Sequence, residues 1–333
     1  MMLYPYEKQD KDVILASVKC DGRAIMWIDK NLHWNDKIVL DSLKTSAATF
    51  NCMDYQAVIW TNKDLRWNDE IVFEALKTYA DTFDYVDKSY AQRKKYMLVA
   101  AMGDPRSLRF ATPKLRANRE IILAAVCNDG KALEYASSEL HADREIVLEA
   151  VKRTGSMLLY AEESLRADRE IVLAAVKNDG TALQYSHNIL HSDLEIVMVA
   201  VRNNGLAIRS AARHLRHTRE VVLEAVKNNG NALRFVGRQF WSDREVVLVA
   251  VEKTRGKACL LDIVDQKLHS DKEIIITSLR ATLDTYDFIN EELRNDPDIV
   301  GEIQRAEAIN DEIVTVYSTK MTDAQMVILR AKN

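Results

Sequence analysis

LHADREIVLEAVKRTGSMLLYAEES, residues 140–164, is followed directly by LRADREIVLAAVKNDGTALQYSHNI, residues 165–189, and LHSDLEIVMVAVRNNGLAIRSAARH, residues 190–214. Each stretch opens with a leucine and carries a glycine at the same later position, so both residue types recur with one fixed period. Self-similarity with a fixed period of about 20–50 residues is typical of solenoid repeat proteins. This period decides the fold class.

The same 25-residue register extends in both directions from these stretches. The recurring glycines and the recurring leading apolar residues are Gly130, Gly155, Gly180, Gly205 and Gly230, and Leu115, Leu140, Leu165, Leu190, Leu215 and Phe240. Leu32, Leu65 and Tyr90 continue the leading position toward the N-terminus, with eight extra residues after Leu32. Toward the C-terminus the spacing stretches by three residues to Leu268 and then returns to its regular value.

We therefore predict an all-α fold, a right-handed α-solenoid of about eleven two-helix, 25-residue repeats. The predicted organisation is one continuous solenoid over residues 1–333. Residues 1–114 are divergent N-terminal repeats with an insertion near 45–54, residues 115–252 are regular repeats, and residues 253–333 are divergent repeats and a cap. Each repeat buries its apolar side only against its neighbours, because helices of about ten residues do not persist alone in water.

The first helix of each repeat has a recognisable start. An N-cap side chain that can accept a hydrogen bond from a free N–H is predicted at Asn118, Asp143, Asp168, Asp193, Thr218, Asp243 and Asp271. At Ser242 and Ser270 a capping box also fits, which would place the cap one residue earlier. Glu145 and its equivalents put negative charge at the positive end of the helix dipole.

The end of the first helix and the second helix follow in the same way. The recurring glycine is predicted to take the left-handed conformation that ends the first helix. Leu133, Ala136 and Leu140 then recur at i, i+3 and i+7, which indicates a short second helix. An aromatic side chain, such as Tyr135, accompanies them.

The repeat unit resembles a known family. The pattern [LF]-[HR]-x-D-[RK]-E-[IV]-V-L-x-A-V-x-N-[DN]-G-x-A-L-x-[YF] is similar to the helical repeat catalogued as domain of unknown function 4116, most clearly between Leu115 and Glu252. That family has no established catalytic residues. The resemblance therefore implies the helical repeat fold and a modular binding surface, and it leaves the function open.

Composition indicates a soluble intracellular protein, cytoplasmic by default. The chain has 50 acidic and 46 basic residues and a net charge of −4, which gives no overall attraction to nucleic acid or to anionic membranes. No apolar run approaches the length that crosses a bilayer. The four cysteines are scattered, without a C-x-x-C pair, as in a protein kept reduced.

The sequence predicts neither an enzyme nor a metal or cofactor site. It contains no G-x-S-x-G, H-E-x-x-H or phosphate-binding glycine loop. Histidine recurs directly after the leading leucine, as at His141 and His191, but arginine fills the same position elsewhere, as at Arg166. A position that alternates histidine with arginine is interpreted as solvated or partner-facing.

Arginine recurs at the start of the first helix, at Arg119, Arg144, Arg169, Arg219 and Arg244. A solenoid stacks equivalent positions into a ladder along one edge. Each arginine is expected either to pair with an acidic residue of its own or the adjacent repeat, or to belong to a binding surface. The two interpretations stay open at this point.

Residues 201–250 hold nine basic and four acidic residues, a local net charge of +5, whereas Asp262 to Glu312 carries −9. Arg209 and Arg234 share one repeat position and Arg213 and Arg238 share another. Ordinary scatter of solvated side chains on the helix faces is the first interpretation, and a basic patch for an acidic protein segment or a phosphate group is the second; both stay open at this point. The candidate partner-binding residues are Arg209, Arg213, Arg216, Arg234, Arg238, Trp34 and Trp67. The two tryptophans replace small residues at the helix entrance and could anchor a partner.

The leading functional hypothesis is a non-enzymatic protein–protein interaction scaffold, or a structural subunit of a larger assembly, that binds a protein along one face of the superhelix. The alternative is an RNA-binding repeat protein that uses the basic region 201–250. The acidic regions and the core positions of most aromatics speak against RNA. The partner's identity and the oligomeric state do not follow from the sequence.

Overall fold

The protein is represented by a computed structural model, which describes residues 68–77, 80–254 and 259–306 and a few isolated positions between 16 and 43. The chain divides into two compact units, residues 1–171 and residues 172–333. Within the described residues all regular structure is helical and no strand occurs. The predicted all-α solenoid class is confirmed. The predicted insertion near residues 45–54 lies outside the described residues.

Nine first helices have both ends within the described residues: α1 Asp69–Leu76, α2 Lys94–Gly103, α3 Arg119–Asn128, α4 Arg144–Arg153, α5 Arg169–Asn178, α6 Leu194–Asn203, α7 Arg219–Asn228, α8 Arg244–Glu252 and α9 Lys272–Leu279. Residues 297–306 are also helical. In the first unit α2 packs on α3 and α3 on α4. In the second unit α6, α7, α8 and α9 pack in chain order. Neighbours in sequence are thus neighbours in space, which defines a solenoid.

Helix α4 shows why these residues form a helix that needs its neighbours. Ile146, Val147, Ala150 and Val151 are fully buried. Burial of each valine or isoleucine side chain contributes about 1.5–3 kcal/mol. The helix has ten residues, which is fewer than the roughly 12–15 that an isolated helix needs to be stable in water. Contacts between repeats therefore supply most of its stability.

Helix starts follow the prediction at most positions. The capping side chain accepts a hydrogen bond from a backbone N–H of the first turn at Asn118, Asp143, Asp168, Asp193, Asp243 and Asp271. Thr218 is the exception, since its hydroxyl instead donates to the carbonyl of His214 at 3.1 Å. The caps of α8 and α9 are the aspartates, so the alternative start at Ser242 and Ser270 was wrong.

The second helix differs from the prediction, because it consists of two short segments. A 3₁₀ helix occupies Gly130–Tyr135, the backbone is extended at Ala136, and a second 3₁₀ helix occupies Leu140–Ala142. The equivalent first segments in the second unit are Gly180–Tyr185, Gly205–Ser210, Gly230–Phe235 and Leu283–Phe288. Such tight helices are used in short pieces. The break at Ala136 lets Leu133 and Leu140 both point into the core, where both are buried.

The recurring glycine does not take the left-handed conformation, and that prediction was wrong. First helices such as α3 end at an extended residue, here Asp129, and Gly130 already begins the 3₁₀ segment. A β-carbon at Gly130 would lie 2.5 Å from the carbonyl oxygen of Ala150 in the next first helix. Gly205 stands in the same relation to the carbonyl of Ala225. Glycine is required because the backbones of successive repeats touch here.

A side-chain clamp holds this close approach in the second unit. Asn228 accepts a hydrogen bond from the N–H of Gly205 at 2.7 Å and donates to the carbonyl of Arg202 at 2.9 Å. Asn203 makes the same pair of bonds to Gly180 and Lys177. Each asparagine thus satisfies backbone groups at the end of the preceding helix, which would otherwise lack partners.

Candidate functional site

Charged side chains form a ladder along the edge where the first helices begin. Arg119 pairs with Asp143 at 2.7 Å and with Glu145, both in the next repeat. The same double pairing recurs from Arg144, Arg219, Arg244 and Lys272 to the following repeat. Of the two interpretations of these arginines, the structure supports pairing between repeats. The ladder's cations are thus already neutralised.

The ladder departs from this pattern at three places. At the first, Lys94 pairs with Glu120 alone, because Asn118 replaces the aspartate. The other two depart further, and both keep the charges compatible. Asp69 occupies the arginine position and Arg93 the aspartate position of the following repeat, with 3.6 Å between their charged groups. This rung has its signs reversed. At the other place Leu194 replaces the arginine and Thr218 replaces the aspartate, so the rung carries no ion pair at these positions.

The ladder shifts the pKa values of its acids. Burial opposes ionisation of Asp143, but Arg119 and the N–H groups at the start of α4 outweigh it and hold the pKa below the ordinary 3.8. Asp168 and Asp271 behave alike. Hydrogen bonds from Tyr90 and Tyr96 lower the pKa of Asp69 at the reversed rung. These carboxylates stay ionised and act as structural anions.

The histidine position has a structural role that the sequence did not reveal. The Nε2–H of His141 donates to the carbonyl of Leu133 at 3.0 Å, and His191 and His269 make the equivalent bond. Trp241 fills the same position and donates its indole N–H to Leu233 at 3.1 Å. These side chains are half-buried. The interpretation of this position as solvated was therefore wrong, and its alternative, a partner-facing position, stays a prediction.

The nine basic residues of 201–250 divide into two groups. Arg202, Arg219, Lys227, Arg234 and Arg244 each pair with an acidic side chain. Arg209, Arg213, Arg216 and Arg238 form no ion pair with any described residue. Among the predicted binding residues, Arg234 is thus neutralised, because both of its terminal nitrogens contact the carboxylate of Asp262 at 2.9 and 3.0 Å.

Three of the unpaired arginines are exposed and lie on the side of the 3₁₀ segments. Arg209, Arg213 and Arg238 form what we call the arginine surface. Arg216 lies beside it but is half-buried, and its Nε atom is buried without a hydrogen-bond partner. Arg116 and Arg166, at the same repeat position, leave the same atom without a partner. Arg216 therefore shares a structural position with them.

Contacts around Gly237 bring members of this surface together across two repeats. The N–H of Gly237 donates to the carbonyl of Arg216 at 2.9 Å. The ring of His217 fills the space beside Gly237 that a side chain would occupy, and its Nδ1 bonds the carbonyl of Arg213 at 2.7 Å. Arg238 follows Gly237 and lies over the Trp241 ring at 5.6 Å. The backbones at Arg213 and Arg238 are thus linked through His217 and Gly237.

The remaining predicted sites give no further candidates. Trp34 and Trp67 lie outside the described residues. Within residues 68–77, 80–254 and 259–306, no group of three or more histidine, cysteine or acidic side chains is arranged to hold a metal ion. No helix in this part of the chain is long and apolar enough to cross a membrane.

The protein is a tandem-repeat α-solenoid. Its helical units stack on one another, charged side chains pair between neighbouring units, and the same glycine contact recurs from unit to unit. Comparison with known proteins identifies the repeats. Residues 94–141, 143–191, 168–216, 193–241 and 218–259 each match the family described as Domain of unknown function (DUF4116). The matches follow one another in tandem between residues 94 and 259, so this part of the chain is consistent with an array of repeats of that family. Neither a curated protein nor a solved structure matches the chain.

Proposed function

We propose that this chain is a non-enzymatic protein–protein interaction scaffold in an intracellular compartment, and that the arginine surface binds an acidic segment of a protein partner. The observation that supports the proposal is the unequal pairing of the basic residues. Five of the nine cations in 201–250 have an acidic partner, whereas Arg209, Arg213 and Arg238 are exposed without one.

Arginine suits this task because its guanidinium can donate two parallel hydrogen bonds to one carboxylate. Arg234 makes this two-point contact with Asp262, and a carboxylate from a partner can bind the exposed arginines in the same way. Each exposed pair contributes only about 0.2–1 kcal/mol. Binding therefore needs several carboxylates on one extended segment, and it weakens as salt is added.

RNA is the less suitable ligand for this surface. Proteins that bind single-stranded nucleic acid without sequence preference commonly stack bases on aromatic faces. Beside the arginine surface, Phe235 and Trp241 are half-buried, and the Trp241 indole N–H is already bonded to Leu233. The arginine surface therefore offers three exposed cations and no exposed aromatic ring beside them. Such a surface is better suited to bind carboxylates than to stack nucleic-acid bases.

Fluorescence anisotropy with a labelled decaglutamate peptide tests the proposal. We expect R209E/R213E/R238E to bind the peptide at least tenfold more weakly at 50 mM salt, because three attractions of about 0.5 kcal/mol are lost. The matched control is K114E/K131E/K177E, which reverses three exposed cations elsewhere that form no ion pair with described residues. It makes the same change in net charge and is expected to alter binding less than about twofold.

Equal weakening by both triple variants would show that only net charge matters and would remove the arginine surface as a site. A ten-nucleotide single-stranded RNA serves as the second probe. Tighter binding of the RNA than of the peptide, with the same dependence on the three arginines, would replace the proposal by nucleic-acid binding.

A further inference from the structure

Two rows of equivalent side chains run along the 3₁₀ side of the second unit. The charged part of the outer row is Arg209, Arg234, Asp262 and Asp287. The corresponding part of the inner row is Arg213, Arg238, Gln266 and Glu291, and the neutral residues Gln184 and Asn188 precede the two rows at the same repeat positions. Successive members occupy equivalent repeat positions, and the three-residue insertion falls between the second and third member of each row. The same backbone hydrogen bond on each side of the insertion confirms this register. The N–H of Gly237 donates to the carbonyl of Arg216, and the N–H of Asp265, the equivalent residue one repeat later, donates to the carbonyl of Trp241.

The sign of the charge reverses along these rows. The outer row reads plus, plus, minus, minus, and the inner row reads plus, plus, neutral, minus. The reversal falls between Arg234 and Asp262, which are paired with each other. Side chains of adjacent repeats in the outer row can therefore reach one another. Arg109 and Asp84 at this position in the first unit also pair, at 3.3 Å.

The ends of both rows have no counter-ion. In the outer row Arg209 lies between the neutral Gln184 and Arg234, and Arg234 is a like charge that is already bound to Asp262. At the other end, Asp287 has Asp262 as its neighbour. Arg209, Arg213, Asp287 and Glu291 are all exposed, and none forms an ion pair with a described residue.

A pattern that reverses sign about its midpoint is complementary to itself after a half-turn. We propose that a second copy of this chain docks on the 3₁₀ side of the second unit, antiparallel to the first, with the two-fold axis beside the Arg234–Asp262 pair. Arg209 then faces Asp287 of the second copy, and Arg213 faces Glu291 of the second copy. Each contact occurs twice, as in an isologous interface. The inference rests on the proposed protein-binding role of this face and names the partner.

The experiment is sedimentation velocity on the full chain with two complementary variants. R209E/R213E makes the basic end acidic, and D287K/E291K makes the acidic end basic. We expect the unmodified chain to dimerise at 50 mM salt and to dissociate at 500 mM salt. Each variant alone is expected to dimerise at least tenfold more weakly, because every end-to-end contact becomes a like-charge contact.

An equimolar mixture of the two variants is expected to restore the dimer, since the reversed acidic end of one faces the reversed basic end of the other. The chain with all four substitutions is expected to dimerise with itself. Net charge cannot explain either recovery, and recovery also shows that the variants are folded. An unmodified chain that stays monomeric at 100 µM in low salt, a variant that dimerises alone as well as the unmodified chain, or a mixture that stays monomeric would each overturn the proposal.

This outcome is separable from that of the proposed function. A monomeric chain that still binds decaglutamate through the arginine surface would reject the second copy and retain the acidic foreign partner. A dimer that excess decaglutamate dissociates would support the second copy and place both ligands on one surface. A chain that neither dimerises nor binds the peptide would reject both.

Discussion

Replacing Gly205 by alanine tests whether the recurring glycine serves close packing. The added methyl group would clash with the carbonyl oxygen of Ala225 and lie 3.0 Å from the backbone nitrogen of Asn229. Both are backbone atoms, so the next repeat must move as a unit. Overpacking of this kind costs about 1–3 kcal/mol. Displacement also weakens the 2.7 Å bond from Gly205 to Asn228, a further ~0.5–1.5 kcal/mol.

The expected destabilisation is therefore about 1.5–4.5 kcal/mol, or a decrease in Tm of about 3–18 °C for a unit of this size. Circular dichroism melts measure the change, and native-state hydrogen exchange locates it in α6 and α7. Gly301 provides the matched control, because a β-carbon there meets nothing within 4 Å. Gly301 lies in a helix, so Gly301→Ala is expected to stabilise by about 0.5–1 kcal/mol.

The variant Gly205→Asn separates close packing from a left-handed backbone. Asparagine is the side chain that best tolerates the left-handed region. If packing is the reason for glycine, Gly205→Asn is at least as destabilising as Gly205→Ala, because both carry a β-carbon. A Gly205→Asn chain that melts within about 1 °C of the unmodified protein, below the shift from any sizeable overpacking, would refute the packing argument.

Three further predictions concern the helix caps and the contacts between repeats. Asn228→Ala leaves the Gly205 N–H and the Arg202 carbonyl without partners and is expected to cost about 1–3 kcal/mol in urea unfolding; a change below about 0.5 kcal/mol would contradict the clamp. Thr218→Asp supplies the missing cap of α7 and is expected to stabilise by about 1 kcal/mol, whereas an unchanged urea midpoint would contradict it. The pKa of Asp143 is lower in the folded chain than its ordinary value of 3.8. The contribution of Asp143 to the free energy of unfolding is therefore complete at pH values above the ordinary pKa, and it is lost as the pH falls through the lower pKa of the folded chain. Asp143→Asn should therefore flatten the acid limb of stability against pH, and an identical acid limb would argue against this role.

The sequence predicted the helical repeats because their signal is local and recurs many times. A capping aspartate such as Asp143 bonds within its own turn, so its role can be inferred from the residues that follow it. The glycine could not be assigned correctly in this way. For Gly130 the requirement comes from the carbonyl of Ala150 in the next repeat, and it depends on the distance between two stacked backbones.

The candidate site was predictable only in part, for a related reason. Charge counting identified the basic region 201–250, but equivalent positions differ in their neighbours. Arg209 and Arg234 share one repeat position, yet only Arg234 has a carboxylate within reach. The histidine position was misread because its acceptor is a carbonyl eight residues earlier, across a break that the helical pattern did not show.

The reversed rung at Asp69 and Arg93 limits where this protein can gain a repeat by duplication. A unit such as residues 143–167, inserted between two ordinary repeats, would meet opposite charges on both sides. The same unit placed after Asp69 would set Asp143 against Asp69 on one side and Arg144 against Arg93 on the other. Lengthening by duplication is therefore favoured between ordinary repeats and opposed at this junction.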